Sequence, residues 1–151
     1  VLTSAGCGGG GGGSSARGST AAPVTSLGFR RVERGASSAL VTTATDLRSV
    51  TTSGALTSLW AAHAPGGSVP AVDFASEQVA ALFLGERPTD GFGIEVLSVA
   101  EVTSGGATSF EVRWQRTAPT GATTAGRTAP YDVVAVNRPA SVESVNAALA
   151  T

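Results

Sequence analysis

Val79-Ala80-Ala81-Leu82-Phe83-Leu84 is a continuous apolar run bounded by polar residues on both sides. Six apolar residues in a row cannot make a strand with one wet face, and the run is short for a helix. It therefore predicts a central strand covered on both faces, with further strands beside it. Phe110-Glu111-Val112-Arg113-Trp114-Gln115-Arg116 alternates with period two. This predicts a half-buried strand with Phe110, Val112 and Trp114 inward and Glu111, Arg113 and Gln115 in water. Ile94 to Val102 is a preceding strand, and Thr103 to Thr108, with Ser104-Gly105-Gly106 at its tip, closes a hairpin between them.

The remaining periodic signal fills Pro23 to Arg138. Ser26 to Glu33 predicts a first strand, Ala39 to Thr43 a short second one, and Tyr131 to Val136 a last one. Leu47, Val50, Leu56, Leu59 and Trp60 are roughly helix-spaced, which predicts one helix from Asp46 to Ala62 with Asp46 at its start. Thr51-Thr52-Ser53-Gly54 weakens its middle, and Ala64-Pro65-Gly66-Gly67 ends it. Val142, Val145 and Leu149 place a short helix in the tail, 139–151. The expected fold is mainly β (α+β): a small antiparallel sheet or sandwich with one main covering helix. Trp60 and Trp114 read as core residues.

The N-terminus has a different character. Val1-Leu2-Thr3-Ser4-Ala5-Gly6-Cys7 resembles the lipobox of bacterial lipoproteins, with Ser4 where an aliphatic residue is usual. On that reading residues 1–6 are the remnant of a signal peptide and Cys7 carries the lipid. Residues 7–22 then form a Gly/Ser-rich tether, with an unbroken glycine run from Gly8 to Gly13 and nothing apolar enough to pack. The glycine run lacks the Gly-Lys-Ser/Thr ending of a phosphate loop. The expected location is the bacterial cell envelope, extracytoplasmic and membrane-anchored through the lipid, with a single copy of the chain.

Charge and composition exclude several functions. Ten arginines against eleven acidic residues leave a net charge of −1, and no basic cluster stands out for nucleic acid. One His and one Cys cannot supply a four-ligand zinc site without carboxylates or a partner chain, and a lone Cys cannot form an internal disulfide. His63 is the sole imidazole, and at the predicted helix end it reads as a cation favoured by the helix dipole, with no nucleophile set beside it by a motif. Asp73 and Ser76 read as turn or cap residues. Glu86, Asp90 and Glu95 have no calcium-loop spacing. No catalytic residue, no metal ligand and no cofactor is expected, and the chain reads as a binding domain.

Three stretches carry a family resemblance: Val72-Asp73-Phe74, then Phe83-Leu84-Gly85-Glu86-Arg87-Pro88-Thr89-Asp90-Gly91-Phe92-Gly93-Ile94-Glu95-Val96, then Pro130-Tyr131-Asp132-Val133-Val134-Ala135-Val136. Together they resemble the PrcB-like family, with Asp90 in place of a usual Gly and Phe92 in place of a usual Tyr. That resemblance implies a non-catalytic lipoprotein domain that binds and stabilises a surface protease complex. The turn Arg87-Pro88-Thr89-Asp90-Gly91-Phe92 is also similar to a loop of chagasin-type cysteine-protease inhibitors, which implies inhibition as an alternative. A structural envelope domain without a specific partner is the third reading. Physically, Pro88 fixes its own φ and keeps Arg87 extended, Asp90-Gly91 supplies turn chemistry, and Arg87 and Phe92 are residue types common at binding hot spots. The six residues Arg87, Pro88, Thr89, Asp90, Gly91 and Phe92 are the candidate partner-binding site, although Phe92 by itself reads equally well as core.

Overall fold

The computed structural model describes residues 24–138 and the backbone of 147–150. The signal remnant, Cys7, the tether and most of the tail lie outside the described residues. In chain order the elements are β1 (Val24–Leu27), β2 (Phe29–Gly35), β3 (Asp46–Val50), α1 (Ser53–His63), β4 (Glu77–Phe83), β5 (Arg87–Thr89), β6 (Gly93–Ser104), β7 (Ala107–Thr117), β8 (Ala125–Thr128), β9 (Tyr131–Asn137) and β10 (Ala147–Ala150). One four-stranded sheet has the order β1-β6-β7-β10 and a second the order β2-β9-β4-β3, while β5 and β8 pair as a separate two-stranded ribbon. Pairing is antiparallel except between β10 and β7, which run parallel.

The apolar run behaves as its composition requires. β4 pairs with β9 on one side and β3 on the other. Leu82 and Leu84 join Ile94, Val96, Val99, Phe110, Val112, Val134 and Val136 in the core between the two sheets. Val79, Ala81 and Phe83 face the opposite way, with Val133 and Tyr131, and are covered by Leu56, Leu59 and Trp60 of α1. β4 and β9 are thus buried on both faces, which is why neither alternates in polarity. The β6–β7 hairpin turns on Gly105 and Gly106, both at positive φ (61° and 83°), as a two-residue hairpin turn of matching twist demands. Phe110 and Val112 are buried as expected, and Trp114 packs half-buried against the same core.

Four expectations need correction. Residues 46–50 are strand, not helix. Leu47 faces the inter-sheet core while Val50 faces α1, so the apolar spacing taken for a helix comes from a strand covered on both sides. The helix begins where its middle looked weak: Thr52 is the N-cap, its Oγ1 accepting from the Ala55 amide at 3.3 Å. Asp46 instead pairs with Arg48 at 2.8 Å. Residues 39–43 form a loop, and the first strand is two, β1 and β2, which separate at Gly28 and join different sheets. In the tail, 147–150 is a strand, extended by the hydrogen-bonding edge that β7 offers; the rest of the expected tail helix lies outside the described residues.

A bulge between Arg31 and Glu33 shapes the interior. In a regular strand these two side chains would share a face. With the extra residue, Arg31 lies opposite Val134 and faces the inter-sheet core, whereas Glu33 lies opposite Val133 and faces α1. Arg31 meets Asp132, which is completely buried: Nε to Oδ1 is 2.9 Å and Nη2 to Oδ2 is 3.1 Å. Asp132 Oδ2 also accepts the Val96 amide at 2.8 Å, so this carboxylate bolts β9, β2 and β6 together across the sandwich.

Candidate functional site

The turn is built outward from the end of β4. Leu84 is still fully buried, and its carbonyl accepts Arg87 Nη2 at 3.0 Å. Gly85 has φ +85°, and a Cβ there would lie 3.1 Å from the carbonyl oxygens of Thr42 and Ala44, so the chain passes close to the 41–45 loop only because this residue lacks a side chain. β5 follows and pairs with β8, a strand that no apolar pattern announces. The Arg87 guanidinium carbon sits 5.8 Å from the centroid of the Phe92 ring. Phe92 packs half-buried against the inter-sheet core.

The six residues therefore divide. Arg87 and Phe92 hold each other, and Thr89 is tied down by Thr128, whose Oγ1 donates to the Thr89 carbonyl at 2.9 Å. Pro88, Asp90 and Gly91 are exposed. Asp90 Oδ1 accepts the Thr124 amide at 2.8 Å, and its own amide donates to the Thr124 carbonyl at 3.3 Å. Gly91 has φ +81°, and a Cβ there would come within 2.7 Å of Pro119 Cβ. Arg127 pairs with Glu86 at 3.1 Å. Asp90, Gly91 and residues 117–123 line one open groove. Segment 117–128 carries no strand-like apolar alternation in the sequence. Its Pro119 and Gly121 were the available signal, but small and hydroxylated residues carry no periodicity that would assign them to the turn.

The acidic candidates are not gathered. Glu86 pairs with Arg127 and Asp90 caps Thr124, while Glu95 accepts Gln115 Nε2 at 3.1 Å and pairs with Arg34 at 3.2 Å. Asp73 is a turn residue as expected, Oδ1 accepting the Ala75 amide at 3.1 Å and Oδ2 the Ser76 hydroxyl at 2.8 Å. Among the described residues no group of three or more His, Cys, Asp or Glu is gathered as a metal ion would need.

His63 differs most from expectation. It is buried at the end of α1, its ring edge-on to Trp60, Phe83 and Tyr131 at 5.0, 5.7 and 4.2 Å. Desolvation lowers its pKa despite the nearby Glu33, so the ring is a neutral imidazole rather than a cation on the helix dipole. A hydroxyl does lie beside it: Ser38 Oγ is 2.7 Å from Nδ1. Glu33 Oε2 is 3.7 Å from Nε2, and Glu33 Oε1 accepts the Tyr131 hydroxyl at 3.0 Å. Serine, histidine and glutamate in a row have the composition of a hydrolase triad. Here, however, Ser38 is itself buried, and its Oγ accepts the Leu40 amide at 3.0 Å. The Ala39 amide donates to the His63 carbonyl at 2.8 Å and the Ser38 amide to Ala129 at 2.9 Å. The cluster pins the end of α1 to β2, β9 and the 36–40 loop. Burial, aided by Glu33, also pushes the Tyr131 phenol up to about 12.

The family model described as PrcB C-terminal matches residues 79–137. This segment is PrcB-like. The match runs from β4 through the turn and the β6–β7 hairpin to the end of β9, so it contains Asp132 and Tyr131 but not their partners Arg31 and Glu33. No curated protein and no solved structure matches the chain. Among the described residues no helix is long and apolar enough to cross a membrane.

Proposed function

We propose that the chain is a non-catalytic, lipid-anchored extracytoplasmic binding domain that docks on and stabilises a protease complex, with Cys7 as the anchor and the Arg87–Phe92 turn as the contact. The observation that carries this reading is the PrcB C-terminal match, which encloses the turn. The local build supports it: Arg87, Thr89 and Phe92 brace the turn from behind, and Pro88, Asp90 and Gly91 are displayed beside the groove formed with 117–123. A braced turn loses little conformational freedom on binding, which favours affinity.

The test compares wild type with Pro88→Arg and Gly121→Arg in a crosslinking pull-down from the native envelope, followed by the lifetime of any recovered protease. Both positions are exposed, and a Cβ at Gly121 meets nothing within 4 Å, so these changes alter the surface rather than the fold. The expected result is a protease recovered by wild type and lost from both variants, with a shorter active lifetime in the absence of the domain. Equal recovery by all three proteins would remove the turn from the contact. Inhibition of the recovered protease would replace stabilisation with an inhibitor role. Label from radioactive fatty acid in the full precursor, lost on Cys7→Ser, checks the anchor.

A further inference from the structure

The second sheet has two edges, β2 and β3, and they are not alike. β2 carries Arg30, Arg31 and Arg34 and is broken by the bulge at residue 32, two devices that discourage a further strand. β3 pairs with β4 in unbroken register from Asp46↔Phe83 to Val50↔Val79, contains no proline, and among the described residues has no strand hydrogen-bonded on its outer side, although β10 of the first sheet lies near it.

The charges along this edge are self-complementary. Asp46 and Arg48 lie two residues apart on the same face, their side chains 37% and 42% exposed, with Leu47 between them. In an antiparallel pairing of β3 with a second β3 about a twofold axis at Leu47, residue 46 of each copy falls opposite residue 48 of the other. Both cross-strand pairs are then Asp–Arg, and no like charges meet. A second feature borders the same edge. Ala55, Ser58 and Ala62 of α1 are small, exposed and on one helix face, and they line an open groove with Arg48, Ser49, Val50 and Leu59. The twofold would bring the α1 helices of both copies to the same side of the joined sheet, where short side chains let them approach.

We infer that β3 is a homodimer interface, joining two second sheets into one eight-stranded sheet. This replaces the single-copy expectation and does not rest on the docking function. A five-residue strand is a small contact, so the association is reversible and concentration-dependent.

The experiment is sedimentation velocity of the full chain in reductant over a wide concentration series, for wild type, Asp46→Arg, Arg48→Asp and the double exchange D46R/R48D. Wild type is expected to rise from the 14.8 kDa monomer toward twice that mass. Each single variant sets like charges opposite each other and is expected to weaken association at least about tenfold. The double exchange restores opposite pairs and should restore association. Arg48 also lies over the Phe83 ring, at 5.9 Å, so thermal unfolding accompanies each variant; if Arg48→Asp does not fold, Asp46→Arg and the double exchange carry the comparison. Wild type that stays monomeric throughout overturns the inference. So does a folded double variant that fails to associate when wild type does, or a dimer indifferent to the single exchanges.

Discussion

Removing the carboxylate at position 132 should cost more than any surface change in this protein, and removing its partner should cost at least as much. Asp132 has no exposed surface, and it takes two hydrogen bonds from Arg31 and one from the Val96 amide. In Asp132→Ala the Val96 N–H is left buried without an acceptor, worth about 1–3 kcal/mol, and charge-assisted bonds of about 1.5–3 kcal/mol are lost. Part of this is recovered, because the Arg31 side chain is 37% exposed and has Glu95 at 3.4 Å as a second partner. The net is about 3 kcal/mol. Arg31→Met instead strands a fully buried carboxylate, for which about 3–5 kcal/mol is typical. The double variant should cost clearly less than the two added together, because the penalty of each single change is the abandoned partner. Urea unfolding reads all three. With a slope of about 1.5–2 kcal/mol per molar, Asp132→Ala lowers the midpoint by about 1.5–2 M at unchanged slope. Strictly additive costs, or single costs below about 1 kcal/mol, would refute the idea that this pair bolts the sheets together.

Other consequences can be checked separately. The protein has one histidine, so its imidazole resonance can be followed alone; its midpoint should lie below 6.5 in the folded state. A folded pKa below the unfolded one means that the unfolded chain binds more protons. Stability is therefore full above about 6.5 and falls as pH drops through the folded value, a slope that His63→Asn, which can keep a partner for Ser38, should flatten in urea titrations. Tyr131 is the sole tyrosine, and its phenolate absorbance should appear near pH 12 in the folded protein and about two units lower in denaturant. Because this pKa is raised, the associated stability is lost as pH climbs from about 10 toward 12. Gly35→Ala would place a Cβ 2.7 Å from the Tyr131 hydroxyl and 2.9 Å from its ring, and should destabilise by about 1–3 kcal/mol in thermal or urea unfolding.

Much of the scaffold was legible because burial leaves a pattern. The 79–84 run, the 110–116 alternation and the double glycine at 105–106 each admit few local structures, and all three formed as read. Where sequence reading went astray, two physical signals coincided. Leu47 and Val50 are three apart, which suits one face of a helix, yet in a strand sandwiched between two apolar layers each face has its own apolar residue. The capping threonine at 52 breaks the apolar spacing, and in sequence a weak point inside a helix and a cap at its start look alike. The candidate turn was legible from its Pro-Thr-Asp-Gly chemistry, but its bracing was not. Arg87 folding back on Leu84 and Phe92, and Asp90 holding Thr124, depend on a segment far along the chain that has no apolar period.

The bulge at residue 32 connects these cases. Nothing in Phe29-Arg30-Arg31-Val32-Glu33 marks an inserted residue, since a charged and an apolar residue fit either face of an edge strand. Yet the insertion decides which interior each charge enters. Without it Arg31 and Glu33 would share a face, and one of the two adjacent polar residues on β9, Tyr131 or Asp132, would lose its partner. Tyr131 and Asp132 lie within the PrcB-like segment and point to opposite sides of the sheet, so they require partners on opposite sides as well. The bulge meets that requirement from a strand outside the matched segment. Accordingly, residues 79–137 expressed alone should not fold, because Asp132 would lose its arginine and keep only the Val96 amide, and Tyr131 would lose its Glu33 acceptor. Circular dichroism and urea unfolding of that fragment test this directly. A cooperative transition like that of the full chain would show that the match marks an independent domain and that the β2 contacts are dispensable.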